Sequence, residues 1–216
     1  MFITFEGPEG SGKTTQARML ATALEILQCK VVLTREPGGT LVGEEIRKIL
    51  LGPLGKDLDP KCILLLFSAA RAQLVRHIIK PAIDSGKIVI CDRYADSTRA
   101  YQWGGDGIPR DEVERAIQLG TEGLEPDITF YLDLSPEEGL RRRRTDSARG
   151  AESGWNFMDA RELEFHQRVR EAYLSLAKEY SSRFYVIDAT GSIEDIHRTI
   201  IEIVDKKLQS RIGGKV

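Results

Sequence analysis

The strongest candidate for chemistry is a glycine-rich segment near the start of the chain. It reads Gly7-Pro8-Glu9-Gly10-Ser11-Gly12-Lys13-Thr14 and follows a short apolar run. This is the pattern G-x-x-x-x-G-K-[ST], in the context of a strand that passes into a helix. Its glycines allow backbone N–H groups to surround an anion, and the following helix directs its positive end to the same point. The segment therefore predicts a cradle for the phosphates of a nucleotide.

Side chains in and near this cradle are candidates for phosphoryl transfer. Lys13 is predicted to reach the β- and γ-phosphates of ATP, and Thr14 to place its hydroxyl on Mg²⁺. Asp92 ends a later strand and can hold the same Mg²⁺, partly through water, while Arg93 adds a fixed cation. We therefore predict Lys13, Asp92 and Arg93 as catalytic residues, with Thr14 and Asp92 as metal ligands. The predicted ATP-binding residues are Gly7, Pro8, Glu9, Gly10, Ser11, Gly12, Lys13, Thr14 and Thr15.

The elements that must position these residues can be predicted from apolar runs. Five short runs occur, at Phe2–Phe5, Val31–Leu33, Ile88–Ile90, Ile128–Leu132 and Phe184–Ile187. Each is nearly continuous rather than alternating, which is typical of strands covered on both faces. Helical segments lie between them, so the order of elements predicts an α/β fold with a parallel sheet and helices on both faces. No stretch resembles a linker, which predicts a single domain over residues 1–216.

The composition narrows the functional class. Hydrophobic residues make up 41% and charged residues 30% of the chain, as in an ordinary globular protein. The net charge of −2 argues against a general nucleic-acid-binding protein, so positive charge must act locally, as in the run Arg141-Arg142-Arg143-Arg144. No secretion signal is evident, and no run approaches the roughly 18 apolar residues of a membrane span. We expect a cytoplasmic protein with no membrane or nucleic-acid partner.

A second set of residues predicts a pocket for a phosphate acceptor. Arg35 and Glu36 follow the second apolar run and open the tight loop Arg35–Thr40. Phe67 and Arg71 are four residues apart and share one face of a helix. An aromatic ring beside a guanidinium suits a nucleobase, because the ring stacks and the guanidinium donates to a carbonyl oxygen. Alternatively, Phe67 belongs to the core.

With these residues in view, the sequence resembles the thymidylate kinase family from Phe2 to about Asp188. The motifs that carry the resemblance are Gly7–Thr14, Thr34–Thr40, Leu66–Arg71 and Asp92–Gln102. The resemblance implies transfer of the γ-phosphoryl group of ATP to dTMP, giving dTDP and ADP, in dTTP synthesis for DNA replication. It also implies a P-loop NTPase fold, a three-layer α/β/α sandwich whose five-stranded parallel sheet has the order 2-3-1-4-5. Family members usually form homodimers.

The resemblance further implies the residues that bind dTMP. These are Glu9, Arg35, Glu36, Phe67, Arg71, Arg93, Thr98, Tyr101 and Gln102. Phe67 would stack on thymine, Arg71 would hydrogen-bond its carbonyl edge, and Thr98 and Gln102 would help to read the base. Tyr101 would lie against the deoxyribose and leave no room for a 2′-hydroxyl.

The remaining members of that set would hold the sugar and the phosphate. Glu9 would contact the 3′-hydroxyl. Arg35 and Arg93 would grip the acceptor phosphate, while Glu36 and Asp92 would organise that phosphate and Mg²⁺. Adenine would lie near residues 188–191, mostly against backbone.

Members of this family place a catalytic arginine either in the cradle or in a lid. The cradle here contains no arginine, so the chain resembles the bacterial type with a lid arginine. The lid is predicted to be mobile, at about residues 141–155, with Arg142, Arg144 and Arg149 as catalytic candidates. Arg149 is favoured because its surroundings are rich in Gly and Ser, whereas Arg142 and Arg144 are expected on the preceding helix. A solvated helix face is the alternative for any one of them.

The lid region also departs from the family. Many bacterial members have Asp-Arg-x-Glu after the lid, whereas this chain reads Asn156-Phe157-Met158-Asp159. Other functions remain open at this point, first among them a kinase for another nucleoside monophosphate or deoxynucleoside. A GTP-dependent switch protein would need an Asn-Lys-x-Asp element, and the sequence has none. A binding module without activity is disfavoured by the joint presence of Lys13, Thr14, Asp92 and Arg93.

Overall fold

The computed structural model describes residues 1–148 and 155–213. Five strands form one sheet in the order β2-β3-β1-β4-β5, and every neighbouring pair is parallel. The strands are β1 (Phe2–Glu6), β2 (Val31–Arg35), β3 (Ile88–Asp92), β4 (Ile128–Asp133) and β5 (Phe184–Asp188). The predicted parallel α/β fold and its strand order are confirmed.

Helices cover both faces of the sheet. They are α1 (Lys13–Ile26), α2 (Leu41–Leu51), α3 (Pro60–Leu74), α4 (Lys80–Asp84), α5 (Ala95–Thr98), α6 (Arg110–Thr121), α7 (Pro136–Ala148), α8 (Leu163–Glu179) and α9 (Ile193–Gly213). A π-helical segment, Val75–Ile79, joins α3 to α4, and a second one, Arg99–Gly105, continues α5. A short 3₁₀ helix, Pro53–Asp57, follows α2.

The three layers follow from the alternation of side chains along each strand. On one face, Ile3 and Phe5 of β1 pack with Leu20 of α1 and Ile200 of α9. On the other face, Phe2 of β1, which comes just before Ile3 in the chain, packs with residues of α3 and α6. A third cluster places α8 and the π-helical segment Arg99–Gly105 over β4. The sheet therefore lies between two layers of helices. This packing on both faces fixes the edge of the sheet at which the strands end.

Two helix starts show why these boundaries occur. Asp59 accepts a hydrogen bond from the N–H of Lys61 at 2.8 Å, ahead of Pro60 at the first helical position. Ser135 accepts one from the N–H of Glu138 at 3.3 Å, as a capping box predicts. The side chain of Glu138 pairs instead with arginines of α7.

The prediction that every strand is covered on both faces is wrong for the two edge strands. Leu33 of β2 is 43% exposed and Val186 of β5 is 50% exposed, whereas β1 is buried throughout. An edge strand lacks a neighbour on one side, so the helices above and below do not cover it completely. All five strands also extend beyond the apolar runs, because polar residues at their carboxyl ends continue the ladder.

One helix among the described residues is long and apolar enough, by length and composition alone, to cross a membrane, although Arg71 and Arg76 interrupt its apolar run. It is the continuous helix Pro60–Asp84, with 25 residues and a mean hydropathy of 1.5. About 44% of its most apolar window is buried inside the protein, where α3 packs against α2 and α6. The buried core helix of a globular domain meets the same criteria, and this helix is one of those that form the core.

Candidate functional site

A cleft of about 1080 Å³ opens at the edge of the sheet where β1, β2 and β3 end. Parallel sheets place ligands at this edge, because the loops that follow the strands converge there. The cleft is lined by all the side chains predicted to bind the acceptor, namely Glu9, Arg35, Glu36, Phe67, Arg71, Arg93, Thr98, Tyr101 and Gln102. Lys13, Thr14, Thr15 and Asp92 line it as well, so the cradle and the acceptor residues share one cavity.

The cradle depends on glycine at its first and fourth positions. Gly7 and Gly10 have φ angles of 147° and 70°, in the region that side chains rarely adopt. A Cβ atom on Gly10 would lie 2.2 Å from the carbonyl oxygen of Gly139, and one on Gly7 would lie 2.6 Å from that of Leu132. The loop therefore lies directly against α7 and the end of β4, and its backbone curves as an anion site requires.

Lys13 is folded over the cradle. Its Nζ donates to the carbonyl oxygen of Pro8 at 2.7 Å, and the residue is 7% exposed. Burial and the nearby Arg93 lower the pKa of Lys13 to about 8, although Glu9 and Asp92 oppose this shift. A phosphate in the cradle would supply the negative charge that this buried ammonium lacks.

Thr14 and Asp92 meet beside the cradle. The hydroxyl of Thr14 donates to Oδ2 of Asp92. Among the described residues, no group of three or more His, Cys, Asp or Glu side chains is arranged to hold a metal ion. A hydroxyl and one carboxylate still fit Mg²⁺, because Mg²⁺ keeps waters and takes further oxygens from substrate phosphates.

Arg93 links the cradle to the acceptor side. Its φ of 70° is uncommon for a residue with a side chain and directs the guanidinium into the cleft. The guanidinium donates to Gly7 O at 3.2 Å, to Ser97 Oγ at 3.1 Å and to Glu9 Oε1 at 2.5 Å. Tyr101 donates to the same oxygen of Glu9 at 3.0 Å. A cation is thus fixed between the two predicted phosphate sites.

The charge state of Glu9 follows from this arrangement. Burial opposes its ionisation, but Arg93 and Lys13 outweigh burial and lower the pKa of Glu9 to about 2. The carboxylate is therefore ionised throughout the physiological range and can accept a hydrogen bond from a ligand hydroxyl.

A buried ion pair forms the floor of the acceptor side. Arg71 is 1% exposed, and its Nε and Nη2 lie 2.9 and 2.7 Å from Oε2 of Glu36. Nη2 also donates to Thr98 Oγ1 at 2.9 Å. Burial raises the pKa of Glu36, with the charge of Arg71 opposing it. Glu36 therefore positions Arg71, a role that the sequence did not predict for it.

Polar atoms at this floor lack partners within the protein. The buried atoms Arg71 Nη1 and Glu36 Oε1 have no hydrogen-bond partner among the described residues. Buried polar groups without partners are costly, and a polar ligand in the cleft would satisfy them. Phe67 lines the same cleft, is half-buried, and is absent from the three buried clusters of the described core.

Arg47 is a cleft residue that the sequence did not reveal. It lies on α2, and its Nη1 donates to the carbonyl oxygen of Pro37 at 2.9 Å. Burial and the neighbouring Arg35 lower the pKa of Arg47, although Glu44 and Asp92 oppose this shift. Arg35 is held by Glu44 at 3.3 Å, one helical turn before Arg47. The start of α2 directly after the Arg35–Thr40 loop was the signal that could have identified this residue.

The described arginines of the predicted lid have different contacts. Residues 141–148 belong to α7, so Arg142 and Arg144 lie on a helix as expected, and the mobile lid at about residues 141–155 stays a prediction. Arg142 donates to Glu138 at 2.7 Å and to the carbonyl oxygen of Ala189 at 3.0 Å. The guanidinium of Arg144 lies 5.1 Å from the ring centroid of Trp155. Among the described residues of this run, Arg143 lines the cleft, and Arg149 lies outside the described residues.

Comparisons with known proteins agree with this site. The family model described as "Thymidylate kinase" matches residues 5–200. A thymidylate kinase from Roseiflexus castenholzii is 49% identical over 217 residues, covering 97% of this chain and 95% of its own length. One from Roseiflexus sp. (strain RS-1) is 51% identical over 218 residues, with coverages of 97% and 96%. The crystal structure of thymidylate kinase from Ehrlichia chaffeensis, 39% identical, superimposes with a TM-score of 0.74 over 94% of this chain and 98% of that chain.

Proposed function

Because the chain belongs to the thymidylate kinase family, we propose that its cleft carries out the reaction of that family. The protein is a nucleoside monophosphate kinase with a P-loop NTPase fold. It transfers the γ-phosphoryl group of ATP to dTMP and releases dTDP and ADP, the step that supplies dTDP for dTTP synthesis and DNA replication.

The observation that carries the assignment of the acceptor site is the unsatisfied buried donor Arg71 Nη1, on a cleft that Phe67 also lines. Arg71 Nη1 is a buried donor of a residue that lines the cleft, and thymine presents carbonyl oxygens that accept from such a group. The half-buried ring of Phe67 lines the same cleft, four residues before Arg71 on α3, and offers a face for stacking. We assign the base of dTMP to this position.

The sugar and phosphate of dTMP are assigned to the region between the base site and the cradle. Glu9 is ionised and linked to Tyr101, which supports a contact with the 3′-hydroxyl and packing of Tyr101 on the deoxyribose. Arg35, Arg47 and Arg93 line the cleft nearby and would bind the acceptor phosphate as guanidinium groups bind oxyanions.

The triphosphate of ATP is assigned to the cradle. Lys13 would leave the carbonyl oxygen of Pro8 and contact the transferring phosphoryl group, because an anion is the stronger acceptor. Mg²⁺, held by Thr14 and Asp92 and by phosphate oxygens, would neutralise developing charge when bound. The protein contributes position, exclusion of water and fixed cations rather than covalent chemistry.

A coupled assay of ADP release tests the reaction and its acceptor. ATP would be offered with dTMP, dUMP, dCMP, dGMP or AMP, at equal concentrations. We expect dTMP to give the highest kcat/KM. A preference for AMP or dCMP would contradict the thymine assignment and favour a kinase for another nucleoside monophosphate.

Replacing Phe67 with alanine tests whether this ring stacks on the base. The variant should bind dTMP more weakly by about 1–3 kcal/mol, with little change for ATP, because one base–aromatic contact is lost. Isothermal titration with each substrate measures this difference. If Phe67 is a core residue instead, truncation would cost roughly 3–5 kcal/mol of unfolding free energy and leave dTMP affinity unchanged. A melting curve recorded beside the titrations separates the two cases.

We also propose that two copies of the chain form a homodimer through the outer surface of α3 and α6. Leu65 of α3 is 63% exposed and Leu119 of α6 is 79% exposed, on two helices that pack against each other. Large exposed apolar side chains on neighbouring helices are typical of an oligomer interface.

Replacing Leu65 with glutamate should shift the mass of the protein from dimer to monomer in multi-angle light scattering. Ile26 of α1, which is 73% exposed on another helix, offers the matched control. Ile26→Glu should leave the mass unchanged. A monomeric wild-type protein, or equal effects of both substitutions, would count against this interface.

We propose that residues 1–216 act as one kinase domain in the cytoplasm. The net charge of −2 supports the absence of a nucleic-acid partner. The burial of the apolar helix Pro60–Asp84 against α2 and α6 supports a role in the core rather than in a membrane.

A further inference from the structure

Glu6 is a buried carboxylate to which no motif of the sequence assigns a role. It ends β1, immediately before Gly7 of the cradle, and it is 0% exposed. It is absent from the described lining of the cleft. A buried glutamate is costly unless donors surround its carboxylate, so the donors around Glu6 indicate what it holds in place.

Three donors meet at the carboxylate of Glu6. Its Oε1 accepts from the backbone N–H of Tyr94 at 2.8 Å, and its Oε2 accepts from the hydroxyls of Ser97 at 2.5 Å and Tyr173 at 2.8 Å. Tyr94 directly follows Arg93 in the chain, and Ser97 accepts from the guanidinium of Arg93. Two of these donors therefore connect Glu6 to Arg93, one through the backbone and one through the side chain.

The backbone contact acts on the unusual conformation of Arg93. With a φ of 70°, Arg93 lies in the left-handed region, which a residue with a side chain keeps only where its surroundings fix it. The N–H of Arg93 donates to the carbonyl oxygen of Phe5 at 2.9 Å, and the next N–H, that of Tyr94, donates to Glu6. The end of β1 thus holds the peptide groups on both sides of Arg93.

The side-chain contact acts on the guanidinium of Arg93. The hydroxyl of Ser97 donates its hydrogen to Glu6, which leaves its oxygen to accept from Arg93 Nη1 at 3.1 Å. Nη2 of the same guanidinium contacts Glu9 and Tyr101, which line the cleft. One terminal nitrogen of Arg93 is therefore held by way of Glu6, and the other contacts residues of the cleft.

The three hydrogen bonds require Glu6 in its ionised form, because a carboxylate only accepts. Burial and the nearby Asp96 raise the pKa of Glu6 to about 7, while the hydrogen bond from Ser97 and the charge of Arg93 oppose this shift. Measurements at about pH 8, above this pKa, therefore examine the ionised form.

We infer that Glu6 is the positioning residue of Arg93, and that it sets the guanidinium for the acceptor phosphate through the Tyr94 N–H and the Ser97 hydroxyl. The inference rests on the proposed function, in which Arg93 binds the phosphate of dTMP. Glu6 itself is buried away from the cleft, so it acts on the ligand only by way of Arg93. Affinity for the phosphate should therefore depend on Glu6, whereas affinity for the base and sugar should depend on it much less.

The test compares dTMP with thymidine, which has the same base and sugar but no phosphate. Glu6→Gln keeps the size of the side chain but removes its charge, and the amide nitrogen cannot accept a hydrogen bond. In isothermal titration the variant should bind dTMP about tenfold more weakly, because the charged contact to the phosphate loses its alignment. Binding of thymidine and of ATP should change little.

Thr4→Val provides a matched control on the same strand. Thr4 lies two residues before Glu6, so the two side chains share one face of β1, and Thr4 is also 0% exposed. Its hydroxyl contacts that of Thr129 at 3.0 Å rather than the surroundings of Arg93. Thr4→Val should bind dTMP and thymidine as the wild type does, even if its melting temperature falls.

Ser97→Ala removes only the side-chain connection between Glu6 and Arg93. It should also weaken dTMP binding more than thymidine binding, and combining it with Glu6→Gln should add less than the sum of the two single effects, because both changes disturb one path. Where Glu6→Gln does not fold, Ser97→Ala carries the same comparison. A loss confined to dTMP then supports the inference, and an unchanged affinity overturns it.

Three further results would contradict this role of Glu6. They are an unchanged dTMP affinity in Glu6→Gln, equal losses of dTMP and thymidine binding, and fully additive effects of the two substitutions. Equal losses would show that Glu6 supports the pocket in general, and additive effects would show that Ser97 acts independently of Glu6. Failure of the proposed function would instead be seen in the wild type, as binding of dTMP no stronger than that of thymidine, and the inference would fall with it.

Discussion

Replacing Lys13 with alanine is expected to lower kcat for dTMP phosphorylation by about 10²–10³-fold, which is the range for removal of one preorganised donor to a developing charge. Lys13 lies over the cradle and donates to the carbonyl oxygen of Pro8, a contact that a phosphate can replace. Its depressed pKa also indicates that the folded protein gains little stability from the ammonium itself. Turnover should therefore fall while the melting temperature stays within a few degrees of the wild type.

Lys48 offers a matched control for this substitution. It also lines the cleft, but it is exposed and pairs with Glu45 on the surface of α2. Lys48→Ala should keep kcat near the wild-type value. If Lys13→Ala and Lys48→Ala have the same kcat, the assignment of residues 7–14 as the phosphate cradle is wrong.

Replacing Arg71 with methionine is expected to lower the free energy of unfolding by about 3–5 kcal/mol, because it leaves a buried carboxylate without its counter-charge. Arg71 and Glu36 are 1% and 5% exposed, so the carboxylate of Glu36 depends on Arg71 rather than on water for its counter-charge. Burial already raises the pKa of Glu36, and loss of Arg71 removes the charge that opposes this effect. Urea unfolding at neutral pH measures the change.

A double variant separates stability from ligand binding. Arg71→Met with Glu36→Leu removes both charges and should recover most of the lost stability, since a buried ion pair is often replaceable by apolar side chains. It should not recover dTMP affinity, because Arg71 Nη1 is one of the donors assigned to thymine. Recovery of dTMP binding in the double variant would show that Arg71 acts through stability alone.

Local interactions explain which parts of the fold and site could be predicted from the sequence. The cradle Gly7–Thr14 is contiguous, and its glycines, lysine and threonine act within one turn between strand and helix. The five strands were also predictable, because buried parallel strands are short apolar runs. The order 2-3-1-4-5 was expected from family resemblance rather than from the runs themselves, and the structure confirms it. Strand order depends on long-range pairing, which apolar runs do not encode.

The tertiary structure decided the partner of each charged side chain. Glu36 was predicted to organise the acceptor phosphate and Mg²⁺, which stays a prediction. Folding pairs it with Arg71, which is 35 residues away in the chain, and the sequence alone did not indicate this partner. Arg47 and Arg143 carry no motif, and they reach the cleft because packing sets the rotation of α2 and α7. Four consecutive arginines look alike in sequence, but on a helix they point in different directions about its axis. Folding places Arg143 on the cleft and the guanidinium of Arg142 on the carbonyl oxygen of Ala189, and such contacts exist only once the sheet has brought these segments together.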